Sequence, residues 1–280
     1  MGTGKPGVGR DSGCGGRYEL MDLGLENRVV IIGGSSRGIG EATARSFLAE
    51  GARVVVTGRD ATALANTAGE LEAEFGARRL LAQPADLVSA EQAANVVAAT
   101  RAKWGRVDCA VANAGTGSGE PGWAPGDSEW GRLLDANLTT SRRVAEAVLP
   151  GMVKAGAGSI IFVASIAGVE SLGAPIAYGA AKSALLAYGK SLARQVGEGG
   201  VRVNAVAPGN VLASDGPWKL KLEQDPAGTR RYIDAEVPLR RFASPQEIAD
   251  VVVFLASERA SFVTGSCVVV DGGQTRRIAI

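Results

Sequence analysis

Tyr178 and Lys182 stand four residues apart, a spacing that puts both side chains on one face of a helix. A free phenol has a pKa of about 10, too high for a base near neutrality, but a neighbouring ammonium favours the phenolate and lowers it. Such a pair can give a proton to an oxygen or take one from it. Ser165 lies thirteen residues before the tyrosine, at the end of an apolar run that reads as a buried strand. Its hydroxyl can hydrogen-bond an oxygen on which negative charge develops. Asn137 lies in the helical stretch before that strand, and Pro208-Gly209 ends the next one. Most tyrosine–lysine pairs of this spacing are a phenol and an amine on a helix surface. What sets this one apart is company at the carboxyl ends of strands, where ligands sit in open α/β sheets.

A second constellation is Gly33-Gly34-Ser35-Ser36-Arg37-Gly38-Ile39-Gly40, between an apolar run and a helical pattern. A dinucleotide pyrophosphate needs a tight turn, bare backbone and a helix N-terminus aimed at it. Gly34, Gly38 and Gly40 supply the first two, and the helix from Ile39 supplies the third. The same stretch matches a hydrolase nucleophile elbow from Gly34 to Gly38, but that mechanism needs a histidine base, and the chain has no histidine. The same absence removes His-ligated zinc sites and His-based dehydrogenases.

The elements that must position these groups follow from pattern. Across 280 residues, short β-branched runs alternate with helical ones. Strands are expected at 28–32, 53–57, 78–83, 107–112, 159–164, 201–206 and 267–270. Helices are expected at 39–50, 61–75 and 90–104, from a cap at Asp127 or Ser128 to about Lys154, at 176–196, and at 245–256. The last opens on Ser244 as N-cap with Pro245 at the first helical position. Strands that are continuous apolar runs are covered on both faces. The fold class is therefore α/β: a doubly wound, Rossmann-type, seven-stranded parallel sheet flanked by helices, in a single domain over 21–280. The one long connection without a pattern, 212–236, reads as a lid. Residues 1–20 carry too little apolar surface to offset ordering entropy and are expected to be a disordered tail.

Lys+Arg is 30 against Asp+Glu 29, a formal net charge of +1, so no global field draws nucleic acid or an anionic membrane. No apolar run reaches the roughly 18 residues of a membrane span. Three scattered cysteines make neither a disulfide framework nor a zinc site, and no metal is expected. Cys109 and Cys267, in apolar runs, are expected to be buried free thiols in a reducing cytoplasm.

Taken together, GGSSRGIG at 33–40, Asp86-Leu87, Asn113-Ala114-Gly115, Asn137, Ser165, Tyr178 with Lys182, Pro208-Gly209 and Asp271-Gly272-Gly273 resemble the short-chain dehydrogenases/reductases, in their short single-domain branch. The likeness spans about residues 25–273, and the overall look is of 3-oxoacyl-acyl-carrier-protein reductases and their relatives. It implies an oxidoreductase interconverting a ketone and a secondary alcohol. Tyr178 would exchange the proton, Ser165 would hold the reacting oxygen, Lys182 would hold the nicotinamide ribose, and Asn137 would hold a water that relays protons to Lys182. Gly34, Ser36, Arg37, Gly38, Ile39, Gly40, Asp86, Leu87, Asn113, Ala114, Gly115, Pro208, Gly209 and Val211 would line the cofactor. Substrate contacts are expected at Trp123, Glu170, Leu172 and Trp218. Relatives pair the helices around Asn137 and Tyr178 between subunits, which implies a homotetramer. Gly33, Ala112 and Ala213 stand where the family usually has Thr, Asn and Thr; none removes a catalytic group. A catalytically inactive dinucleotide-binding regulator or scaffold would show a broken tetrad, and all four members stand here.

Sheets of this type that use NAD carry an acid at the end of the second strand, on the ribose 2′-hydroxyl. The resemblance puts Gly58 at that place, followed by Arg59, with Arg37 in the glycine turn. Two guanidiniums can clamp a 2′-phosphate, so NADP(H) is expected over NAD(H). Asp60 is the competing ribose acceptor.

Overall fold

A computed structural model describes residues 22–214 and 216–278. The chain alternates β1 (Val29–Gly33), α1 (Gly38–Ala49), β2 (Arg53–Gly58), α2 (Ala61–Phe75), β3 (Leu80–Pro84), α3 (Ala90–Trp104), β4 (Cys109–Ala112), α4 (Asp127–Leu134) and α5 (Thr140–Ala155). It continues with β5 (Gly158–Val163), α6 (Ile176–Val196), β6 (Val201–Pro208), α7 (Pro217–Gln224), α8 (Pro226–Glu236), α9 (Pro245–Ala256) and β7 (Cys267–Val270). All seven strands pair in parallel in the order β3-β2-β1-β4-β5-β6-β7. Strand order therefore reverses at β1/β4, and the carboxyl ends at Gly33 and Ala112 open a crevice there.

Side chains of a strand alternate between faces, and two apolar cores divide along that alternation. Val30, Ile32, Val54, Val56, Val111 and Ile161 pack on one side, with Phe47 and Leu48 of α1 and Ile248 and Val252 of α9. Ile31, Val55, Ala110, Ile160 and Phe162 pack on the other, with Val96, Val148 and Leu185 of α3, α5 and α6. Both faces of the sheet are covered, which is why its strands read as unbroken apolar runs.

Four expectations are corrected. The stretch 127–154 is two helices, and its cap is Gly126 rather than Asp127 or Ser128. Asp135–Thr139 between them is a π turn containing the buried Asn137. The connection 212–236, expected to be an irregular lid, holds two helices: Pro217 and Pro226 occupy first-turn positions of α7 and α8, where a missing N–H costs nothing. β3 begins at Leu80, with Arg78 and Arg79 in a 3-10 turn. Cys109 is buried, but Cys267 is exposed, because β7 is an edge strand paired only with β6. The tail assigned to 1–20 lies outside the described residues. Ser244 does cap α9, in a capping box with Glu247. No helix among the described residues is long and apolar enough to cross a membrane.

Candidate active site

The glycine turn is held by contacts that need its glycines. Gly34 has φ +66°, and a Cβ there would fall 2.7 Å from Ala114 Cα. A Cβ on Gly40 would fall 2.2 Å from the Gly34 carbonyl oxygen, so α1 can start this close to β1 only with glycine. Asn113 Nδ2 donates to the carbonyls of Gly34 (2.8 Å) and Gly33 (3.3 Å), tying the end of β4 to the turn. Buried Ser35 completes the tie, donating to Ile32 O and accepting from Thr57 N, both at 2.8 Å. Leu87 is buried and lies under Gly33. The Asp86 carboxylate is spent on its own turn, accepting from Val88 N at 3.1 Å. Arg37 precedes α1 in extended backbone and gives it no side-chain cap. A Cβ on Gly38 would meet only Ala213 Cβ, at 3.6 Å. The first amides of α1 are thus presented on bare backbone, the cradle a pyrophosphate fits.

At the end of β2, Arg59 is exposed. Asp60, the competing ribose acceptor, caps α2 instead: its Oδ1 accepts from Thr62 N and Ala63 N at 3.0 Å each. A Cβ on Gly58 would touch Ser36 Oγ at 3.3 Å, so an acidic side chain would crowd the turn.

The tyrosine–lysine pair sits on α6, beside the end of β5. Ser165, in extended backbone, accepts from Ala167 N at 3.1 Å, and its hydroxyl lies beside the Tyr178 phenol. The 3-10 turn Ile166–Gly168 packs directly on α6: a Cβ on Gly168 would meet the Lys182 carbonyl carbon at 2.6 Å. This contact fixes Ser165 relative to the pair. Lys182 is buried, its Nζ donating to Val163 O at 2.9 Å and lying 5.9 Å from the Tyr178 ring centre. Asn137 Oδ1 accepts from Thr116 N at 3.2 Å, and its Nδ2 donates to Thr116 O and Leu133 O at 3.0 Å. A Cβ on Gly115 would lie 2.6 Å from Asn137 Oδ1 and 3.4 Å from Lys182 Nζ. Asn137 and Lys182 therefore meet at the strand end, and Ser165, Tyr178, Lys182 and Asn137 form one cluster.

Its electrostatics differ from expectation. Burial pushes the Tyr178 phenol up, and the Ser165 hydroxyl pulls the other way. Lysine, not tyrosine, has the lowered pKa: burial brings Lys182 down from 10.5 to about 8. The folded state therefore binds fewer protons than the unfolded chain between pH 8 and 10.5, and burying the charge destabilises the fold below pH 8. Lys182→Met should raise the melting temperature by a few degrees at pH 7, and the difference should shrink as pH rises from about 8 to 10.5. A melting difference independent of pH would contradict this.

Other expected contacts are distributed less tightly. A Cβ on Gly209 would lie 2.8 Å from Asp271 Cα, which brings Pro208-Gly209 against the turn after β7. Val211 bridges to Ala243 and anchors the start of the segment that leads to α7. Leu172 is half-buried, whereas Trp123 is 90% exposed. The Trp218 indole stacks on Tyr232 (5.2 Å between ring centres) and touches Phe242. The Glu170 carboxylate accepts from the backbone N–H of Arg276 at 2.9 Å.

Sequence reasoning missed the groups that hold the loop over the tyrosine. Glu129 is nearly buried, accepts a two-pronged contact from Arg132 and binds Glu120 N at 2.9 Å. Arg132 also donates to Ser118 O at 2.8 Å. These bonds hold the carboxyl of Glu129 below the usual carboxylate range. They keep Gly117 against the tyrosine: a Cβ there would lie 3.6 Å from Tyr178 Cζ. The i,i+3 charge pair was visible in the sequence; its burial against a loop was not.

A family model described as enoyl-(acyl carrier protein) reductase matches residues 34–275. The 3-oxoacyl-[acyl-carrier-protein] reductase of Escherichia coli K12 is 36% identical over 253 residues, covering 90% of this chain and 98% of that protein. D-threitol dehydrogenase of Mycolicibacterium smegmatis is 35% identical, covering 91% and 95%. The crystal structure of L-sorbose reductase from Gluconobacter frateurii, complexed with NADPH and L-sorbose, superposes with a TM-score of 0.85 at 38% identity, covering 92% of this chain and 100% of that one. The chain belongs to the short-chain dehydrogenase/reductase family of oxidoreductases acting on CH–OH and C=O groups.

Proposed function

We propose that this protein is an NADP(H)-dependent, cytoplasmic oxidoreductase interconverting a small ketone and a secondary alcohol. The observation that carries it is the meeting of Ser165, Tyr178, Lys182 and Asn137 beside a bare-backbone glycine turn. A bound nicotinamide supplies or accepts the hydride. The chain does the rest. Gly34, Ser36, Gly38, Ile39 and Gly40 would cradle the pyrophosphate, and Arg37 and Arg59 would hold a 2′-phosphate. Asp86, Leu87, Asn113, Ala114, Gly115, Pro208, Gly209 and Val211 line the rest of the cofactor cleft.

Tyr178 gives its proton to the carbonyl oxygen, or takes it from the alcohol, and Ser165 hydrogen-bonds the same oxygen as charge develops. A charged Lys182 favours the phenolate once the proton has left; at neutral pH, below its pKa of about 8, it carries that charge. Asn137 holds a water from which Lys182 and Tyr178 are reprotonated. Leu172 and Trp123 border the substrate, and helices α7 and α8 form the lid. Pairing of the α5 and α6 faces between subunits makes a homotetramer.

The test is a substrate panel of 3-oxoacyl thioesters, L-sorbose, threitol and cyclic diketones, assayed with NADPH or NADP⁺ and with NADH or NAD⁺. Turnover of at least one member, with higher kcat/KM for the phosphorylated cofactor, is expected. No turnover with any member would sink the activity, and higher kcat/KM with NAD(H) would sink the cofactor assignment.

A further inference from the structure

The segment after β7 crosses from the lid to the loop that follows Ser165. Gln274 is buried, at 3% exposure, in the middle of this crossing. Its Nε2 donates to Tyr232 Oη on α8 at 3.0 Å, and its Oε1 accepts from Asn210 Nδ2 at 2.9 Å, next to the lid root. Asp271 braces the segment by accepting from Thr275 N at 2.7 Å. Two residues further, Arg276 reaches Glu236 at the end of α8 at 3.1 Å. On the other side, Glu170 Oε2 accepts from the backbone N–H groups of Arg276 (2.9 Å) and Arg277 (3.4 Å). Arg277 Nη1 donates to Val169 O at 2.6 Å. Val169 and Glu170 follow Ser165 by four and five residues.

The two lid helices differ in how they are held. Helix α8 buries Thr229 and Ile233 and is tied to the segment through Tyr232 and Glu236, whereas α7 has no buried residue. Trp218 of α7 rests on Tyr232 of α8, the tyrosine that Gln274 holds. The position of 274–277 is therefore passed through Tyr232 to the helix most free to move.

We propose that residues 274–277 are a strap joining α8 to the loop after Ser165, and that Gln274 and Glu170 are positioning residues whose strap sets how large a carbonyl substrate the site admits. This rests on the carbonyl–alcohol reading above. Glu170 acts through the strap rather than on the substrate, since its carboxylate is committed to two backbone amides. The strap fixes one wall, α8, while α7 opens and closes against it, so substrate length is limited by a distance the strap determines.

The test uses the whole chain and three variants: Glu170→Ala, Glu170→Gln and Gln274→Met. Glutamine keeps an oxygen acceptor for the two amides; alanine and methionine remove a partner. Hydrogen exchange is read at residues 226–236 without any ligand, and kcat and KM are read for ketones of increasing chain length. Glu170→Ala and Gln274→Met should speed exchange in α8 by about 10-fold, and Glu170→Gln should restore it. For the shortest ketone, KM should rise ~10-fold, more than kcat falls, and kcat/KM should shift toward longer ketones. The Kd for NADPH should stay within about twofold of the unsubstituted chain's. Unchanged exchange in both loss variants would overturn the strap. So would equal loss in the Glu170 alanine and glutamine variants, or a uniform fall in kcat with no change in chain-length preference. If the unsubstituted chain reduces no ketone, the activity reading fails by itself, and the exchange data alone accept or reject the strap.

Discussion

Tyr178→Phe should bind NADPH about as well as the unsubstituted chain and lose at least ~100-fold in kcat, by removal of the proton donor. The phenyl ring would still fill the space beside Gly117, where a Cβ would stand 3.6 Å from Tyr178 Cζ. What disappears is the hydroxyl beside Ser165. Lys182 and Asn137 keep their own bonds to Val163 O and Thr116, so the rest of the cluster stays assembled. The loss should therefore appear in kcat with little change in cofactor binding, as expected for a group acting in the transition state. Steady-state kinetics and NADPH fluorescence titration check both halves. A variant keeping more than half the original kcat would remove Tyr178 from the chemistry.

The second large effect is on cofactor choice. Arg59→Ala should weaken NADPH by roughly 1.5–3 kcal/mol, the scale of a charge-assisted contact, and leave NADH nearly unchanged. The reason lies in the residues around the end of β2. Gly58 leaves no acid to repel a phosphate, and a Cβ there would already crowd Ser36 Oγ. The acid nearest in sequence, Asp60, has its Oδ1 on the amides of Thr62 and Ala63. Turning it toward a ribose would uncap α2, at a cost of about 1 kcal/mol. Titrating both cofactors against Arg59→Ala and Arg37→Ala separates the two guanidiniums. Equal weakening of NADPH and NADH would show that Arg59 acts on something the cofactors share.

Much of this was legible because it depends on local pattern. Unbroken apolar runs announced a sheet covered on both faces, and the two cores meet that demand residue by residue. The Ser244 cap needed only four consecutive residues to be recognised. Pattern failed where one residue type serves opposite ends. Pro217 and Pro226 break helices in the interior but open them at the first turn, and only neighbouring packing says which applies. It also failed at Asn137, because a π turn follows from the hydrogen bonds that a buried amide makes with Thr116. Cys267 read as core because an edge strand and a central strand can carry the same letters.

By itself, the sequence determined the parallel α/β class, the glycine turn, and the chemistry available at Ser165, Tyr178 and Lys182. These rest on residue type and short spacing, which the chain carries with it wherever it folds. Tertiary structure decided which groups are spent and which are presented. Asp60 is spent on α2, Glu170 on two amides more than a hundred residues later in the chain, and Trp218 on Tyr232. It also decided that burial moves Lys182 down to about 8 and Tyr178 up. Desolvation and long-range hydrogen bonds depend on what packs against a side chain, and no spacing along the chain records that.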